Sequence, residues 1–178
     1  RGGIVNDLGP ALSPLHAFLL QQGIETLSLR MERHVSNSRA IAEFLAQHAA
    51  VEYVDYAGLP THPQHEIAQR TLDGRSGSVF AVTVRGGRAG AEIFIDSLRV
   101  FSRMTNIGDV RSMVLHPATT THLSFTPELR AQLGIDEGLV RLSVGIETVA
   151  DLIADLDSAL AAVSAYLSGD ADAAEVAP

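Results

Sequence analysis

Residues 79–84 read Val-Phe-Ala-Val-Thr-Val, a nearly continuous apolar run bounded by Gly77 and by Gly86 with Gly87. Such a run suits a strand buried on both faces, so the rest of the chain has to supply layers around a sheet. Further strands are expected at 51–56, where valine and tyrosine alternate with polar residues, at 100–101, at 113–115 and at 139–144. Helical spacing fills the gaps between them. A first helix is expected to begin near Pro10, to carry Leu15, Phe18, Leu19 and Leu20, and to stop at Gly23. A long one over 25–48 repeats Leu27, Met31, Val35, Ile41 and Leu45 at three- and four-residue intervals, and shorter ones are expected at 64–72 and 89–98. The last begins after Thr148, which with Asp151 makes a variant capping box, and keeps Val149, Leu152, Ile153, Leu156, Leu160, Val163 and Leu167 on one stripe. The expected fold class is α/β (α+β): a small sheet of four or five mostly antiparallel strands with its main helices on one side. That leaves the other face of the sheet for a partner domain or subunit. Residues 1–9 read as a linker, 10–168 as one domain, and the acidic, alanine-rich 169–178 as a disordered tail.

Composition removes several classes of function. The net charge is -8 and the arginines are scattered, which disfavours a nucleic-acid partner. There is no uninterrupted apolar stretch of membrane-spanning length, and no basic-then-apolar start of the kind that directs secretion. The absence of cysteine removes disulfides and thiolate chemistry, and suits a cytoplasmic protein. Lysine is absent too: all 13 basic residues are arginine. Arginine stays protonated at ordinary pH, so this chain has no side-chain amine that could form a Schiff base with a carbonyl cofactor.

One arginine stands out by position. In residues 139–144 a period of two places Val140, Leu142 and Val144 on one face and Arg141 with Ser143 on the other. A guanidinium set among apolar neighbours needs an anionic partner, and its planar fork matches a carboxylate. Two readings fit equally: an anchor for the carboxylate of an amino-acid substrate, or an internal ion pair with one of the 21 acidic residues. Other candidates have plainer explanations. His62 and His65 lie beside prolines without a third metal ligand, so no metal site is expected. Residues 85–90 have the glycines of a phosphate loop without its lysine or spacing, and read as a strand-to-helix turn. His116 and His122 read as loop-packing residues rather than proton carriers.

The segment from Gly138 through Glu147, followed by Asp151, Leu152, Ile153, Asp155 and Leu156, resembles the closing signature of the cysteine and methionine metabolism family of pyridoxal-phosphate enzymes. Three more segments agree in order. Ala11–Pro14 with Phe18, Leu19, Leu20, Gly23 and Glu25 through His34 is similar to the helix that follows the family's cofactor domain. Tyr56, Gly58, Leu59, His62, Pro63 and His65 resemble its next loop. Gly108 through Ser112 with His116, Pro117, Thr121 and His122 resemble its substrate-side loop.

The resemblance implies the C-terminal domain of a fold type I enzyme, with pyridoxal 5'-phosphate and the lysine that holds it on an N-terminal domain outside this chain. It implies no catalytic, cofactor-binding or metal-binding residue here, and a substrate-binding set of Arg141, Asn106, Thr121 and Thr105. Asn106, where many relatives carry serine, resembles the sulfhydrylase branch that uses O-acetylhomoserine. Thr105 stands where relatives handling cystathionine often have glutamate, which fits a small nucleophile such as sulfide. The implied activity is replacement of the γ-acetoxy group by sulfide to give homocysteine, a transferase step of methionine biosynthesis and transsulfuration. It would belong to a cytoplasmic homotetramer whose C-terminal fragment has no turnover alone. Two alternatives stay open: γ-synthase or γ-lyase chemistry in the same family, and a non-catalytic oligomerisation module. By residue chemistry alone, Asn106 and Thr121 are ordinary turn residues.

Overall fold

The computed structural model describes Gly3, Leu8, Gly9 and residues 11–169. The linker expected at 1–9 and the tail expected beyond Gly169 therefore lie almost wholly outside the described residues. Helix α1 spans Pro14–Glu25 and α2 spans Leu27–Leu45. Then come β1 (Val51–Asp55), α3 (His65–Leu72), β2 (Val79–Val84) and α4 (Gly87–Ser97). Two short strands follow, β3 (Ser102–Arg103) and β4 (Met113–Leu115), then a 3-10 turn at Pro117–Thr119. Helix α5 (Pro127–Gln132), β5 (Leu139–Ser143) and α6 (Val149–Ser168) complete the order.

The five strands form one sheet in the order β1-β2-β5-β4-β3. Every pairing is antiparallel except β3 with β4. The fold is the expected α/β one, with α2, α4 and α6 packed together on one side of the sheet. On that side Phe80, Val82 and Val84 of β2 join Val140 and Leu142 of β5 and Val114 of β4. Against them α6 presents Leu152, Leu156, Ala159, Leu160 and Val163, all fully buried. That spacing of three and four is what makes one helix face apolar, and each large side chain contributes about 2 kcal/mol through burial. Gly86 and Gly87 both adopt positive φ (89° and 59°), which lets β2 turn straight into α4; the 85–90 stretch is that turn.

Several local expectations fail for identifiable reasons. Helix α1 starts at Pro14, not near Pro10, because the Ser13 hydroxyl accepts from the His16 N–H and Pro14 occupies the first helical position. It also runs through Gly23, and the break falls at Thr26 (φ -101°). No strand forms at 100–101. The N–H groups of Arg99, Val100 and Phe101 all donate to the buried Asp155 carboxylate, at 2.8, 3.0 and 3.3 Å, so pairing resumes only at Ser102. The capping box of α6 is absent: no side-chain bond caps the helix, and the carbonyl of Thr148 instead accepts from the Asp151 and Leu152 N–H groups. Helix α5 is an element the sequence reading lacks. Its signal was present, since the Thr126 hydroxyl accepts from Leu129 N–H and Pro127 opens the helix.

The parallel pairing of β3 and β4 sets the path of the chain between them. Parallel neighbours cannot be joined by a tight turn. Residues 104–112 make the crossover without a helix, and so have to pass over a face of the sheet.

Candidate functional site

The register places Arg141 directly between Ala81 on β2 and Leu115 on β4. This row lies on the face opposite α2, α4 and α6. Its neighbours on that face include half-buried Val79 and Thr83 and buried Met113, none of the last belonging to the main core cluster. Arg141 is thus a half-buried guanidinium rising from an apolar row. Burial pushes it below the ordinary arginine value, though arginine keeps its charge.

Arg141 meets the crossover loop rather than an acid. Its Nη2 donates to the carbonyl of Thr105 at 2.9 Å and to that of Asn106 at 3.3 Å. Its Nε is buried without a hydrogen-bond partner. Among the described residues no ion pair involves Arg141, whereas Arg88 and Arg130 both bind Glu137, at 2.7 and 2.9 Å. Among the described residues, then, the internal ion-pair alternative finds no acid to supply it. A cationic group with a buried N–H and no anion is chemically suited to a carboxylate arriving from outside.

The structure brings three of the four expected site residues together. Thr105 and Asn106 touch Arg141 through backbone carbonyls, and both side chains are exposed. The Asn106 side chain is used locally: its Oδ1 accepts from the Ile107 N–H at 2.9 Å and its Nδ2 reaches Asp109 at 3.5 Å. Thr121 is not joined to them. It is exposed in the turn after the 3-10 segment, where its hydroxyl pairs with His122 Nδ1 at 2.8 Å.

The remaining histidines are held by structure. His116 is buried; its Nε2 donates to the Glu137 carbonyl and its Nδ1 accepts from the Thr119 hydroxyl, both at 2.9 Å. His62 lies 2.8 Å from Asp55, and His65 donates to the Ala57 carbonyl.

A second group of polar residues stands beside the site and has no role expected from the sequence. The chain leaving β5 is gripped on two sides. From α2, buried His34 donates through Nδ1 to the Val144 carbonyl at 2.6 Å, and Asn37 donates to the carbonyls of Gly145 and Glu147 at 3.1 and 2.9 Å. From the crossover loop, Ser112 binds the Glu147 carboxylate twice, N–H to Oε1 at 2.6 Å and hydroxyl to Oε2 at 2.9 Å. The same hydroxyl accepts from the Gly145 N–H at 2.8 Å. The available signal was buried polarity on α2, where His34 and Asn37 stand on the apolar stripe.

Comparison with known proteins places these features in context. The profile of the Cys/Met metabolism PLP-dependent enzymes matches residues 3–161. An O-succinylhomoserine sulfhydrylase from Pseudomonas aeruginosa is 46% identical over 161 residues, 90% of this chain and 40% of its own length. An L-methionine gamma-lyase from Pseudomonas putida is likewise 46% identical over 160 residues, again 90% of this chain and 40% of its own. Among solved structures, a cystathionine gamma synthase from Xanthomonas oryzae superposes with a TM-score of 0.79 at 42% identity, covering 90% of this chain and 41% of that one. The chain thus spans about two fifths of the length of these relatives.

Proposed function

Since the chain belongs to the Cys/Met metabolism family of PLP-dependent enzymes, we propose that it is the substrate-side part of an O-acetylhomoserine sulfhydrylase, which exchanges a γ-acetoxy group for sulfide to give homocysteine. In this reading residues 10–168 are a C-terminal domain, 1–9 lead from a cofactor domain, and the assembly is a cytoplasmic homotetramer. Relatives that are sulfhydrylases of acylated homoserine support the assignment, one from Thermus thermophilus at 45% identity over 157 residues, 88% of this chain and 37% of its own length.

The observation that carries the proposal is the Arg141 guanidinium, on the sheet face away from the main helices, with a buried Nε and, among the described residues, no acidic partner. These residues fit the carboxylate of an amino acid; they offer no amine to an aldehyde, because the chain has no lysine. When bound, pyridoxal phosphate supplies the electron sink that makes protons next to the amino group removable. Arg141 then contributes position: holding the carboxylate fixes the orientation of the bond to be broken, an effect worth several kcal/mol when alignment is good. The carbonyls of Thr105 and Asn106 steady the guanidinium. With Thr105 in place of a carboxylate, the loop has no anion at that position for the distal ammonium of a cystathionine-length substrate. Thr121 belongs to the proposed pocket by resemblance alone.

In the full-length protein, Arg141→Leu is expected to raise the KM for O-acetylhomoserine roughly 100-fold, the loss of a paired charge-assisted contact, with the cofactor's absorbance unchanged. An unchanged KM removes Arg141 from the site and the proposal with it. A γ-lyase reading is favoured by the equally similar methionine gamma-lyases. It predicts release of a thiol from methionine faster than sulfide incorporation.

A further inference from the structure

We infer that Glu147 and Ser112 form a clasp that sets the distance between Arg141 and the crossover loop, and so tunes affinity for the substrate carboxylate. The inference rests on the reading of Arg141 as a carboxylate anchor. Neither residue touches the proposed substrate; both are positioning residues.

The crossover loop is held at two ends. Where it leaves β3, the Met104 N–H donates to the Val114 carbonyl at 3.2 Å. Where it enters β4, Ser112 is held by Glu147, and the Ile146 N–H donates to the Val110 carbonyl at 2.9 Å. Between these anchors lie Thr105 and Asn106, whose carbonyls meet Arg141. Arg141 and Glu147 are on the same stretch of chain, six positions apart, so one rigid segment carries both the anchor and the clasp. The segment is itself fixed to α2 by His34 and Asn37. A shift of the loop has to break the Ser112 bonds first.

Gly145 shows how closely the two pieces approach. A Cβ there would collide with Glu147 Oε2, the Val110 carbonyl oxygen and the Arg111 carbonyl carbon, so only glycine allows the carboxylate to reach Ser112. Ser112 is fully buried, and its hydroxyl both donates to Glu147 and accepts from Gly145. Two charge-assisted bonds in a sheltered place make a stiff link. Stiffness matters because a displacement of about 1 Å at a binding group costs up to about 100-fold in rate or affinity.

The test uses the full-length enzyme with its cofactor and three variants: Glu147→Ala, Ser112→Ala and Glu147→Gln. Binding without turnover is read as the amino-acid concentration giving half the change in cofactor absorbance, and loop order is read from hydrogen exchange of residues 104–112. Glu147→Ala and Ser112→Ala are expected to raise the half-saturating concentration about tenfold, to leave kcat within about twofold, and to speed exchange in the loop. Glu147→Gln, which keeps an acceptor for the Ser112 N–H, is expected to recover most of the affinity. Faster loop exchange with unchanged half-saturation overturns the inference, as does unchanged exchange in both alanine variants. If Glu147→Ala proves insoluble, Ser112→Ala, a smaller change, decides by the same criteria. If Arg141→Leu also leaves half-saturation unchanged, the carboxylate reading itself falls; if only the clasp variants do so, the anchor stands and the clasp does not.

Discussion

Arg141 and Arg130 are chemically identical and end in opposite situations. Arg130 is buried and donates to an acid, Glu137, and to a carbonyl, that of Phe125, although its Nε, like that of Arg141, has no partner. Among the described residues Arg141 has two carbonyls and no acid, and its neighbours in register are Ala81 and Leu115. The first is a brace; the second has no anionic partner among the described residues, which is why we propose it as a carboxylate anchor. Strand alternation alone exposed this possibility, but it could not exclude an internal acid, because acids distant in sequence can arrive anywhere. Asn106 illustrates the opposite limit. Resemblance singled out its side chain, whereas the contact with Arg141 is through its carbonyl, which any residue would provide. The side chain is still exposed beside the guanidinium, so Asn106→Ser is expected to change the ratio of kcat/KM values for acetyl and succinyl esters of homoserine several-fold, with the unfolding midpoint little altered. An identical ratio would reduce Asn106 to a turn former.

Single polar groups decide where elements begin and end. Asp155 lies on α6, 8% exposed, and collects three successive backbone N–H groups of residues 99–101. Removing its carboxylate leaves those donors without a protein partner, that of buried Phe101 among them. Asp155→Ala is therefore expected to destabilise by about 3 kcal/mol in urea unfolding, and a loss under about 0.5 kcal/mol would show that water replaces the carboxylate. Glu137, just before β5, ties α4 to α5 through Arg88 and Arg130. The hydrogen bond from Arg88 first, and the charge of Arg130 in addition, hold its carboxyl below the usual carboxylate range. A carboxylate lowered in the folded state adds stability that is full above its unfolded value of about 4.3 and is lost as pH falls through the folded one. The stability difference between the natural protein and Glu137→Gln is expected to be constant near about pH 6 and to close below about pH 4. A gap that persists into acid would show that charge is not what the two arginines recognise.

The α1 helix stands apart from the rest of the molecule. None of its residues is buried, and Leu15, Phe18, Leu19, Leu20 and Ile24 are each more than half exposed. Apolar residues around the whole circumference of a helix are the mark of an element meant to be enclosed. The chain on its own is accordingly expected to self-associate: light scattering should give a mass above that of one chain, falling when Phe18 and Leu19 are replaced by glutamate. A monomeric natural chain at high concentration would show that α1 is solvated as it stands. Much of the architecture was legible from period alone, because burial on one face imprints itself on every second residue of β5 and on every third or fourth of α6; β2 is different, since its apolar run read as buried on both faces whereas Val79, Ala81 and Thr83 are only half-buried. The fold class and the placing of Arg141 on the face opposite Val140, Leu142 and Val144 followed from that local rule, and the strand at 79–84 from its apolar run. What period could not reveal were contacts between residues far apart in sequence. The strand at 102–103 displaced by Asp155, the crossover loop laid over Arg141, and the bonds from Ser112 to Glu147 each depend on partners brought together by the fold. A hydrogen bond leaves no periodic trace in sequence, so geometry in three dimensions had to decide it.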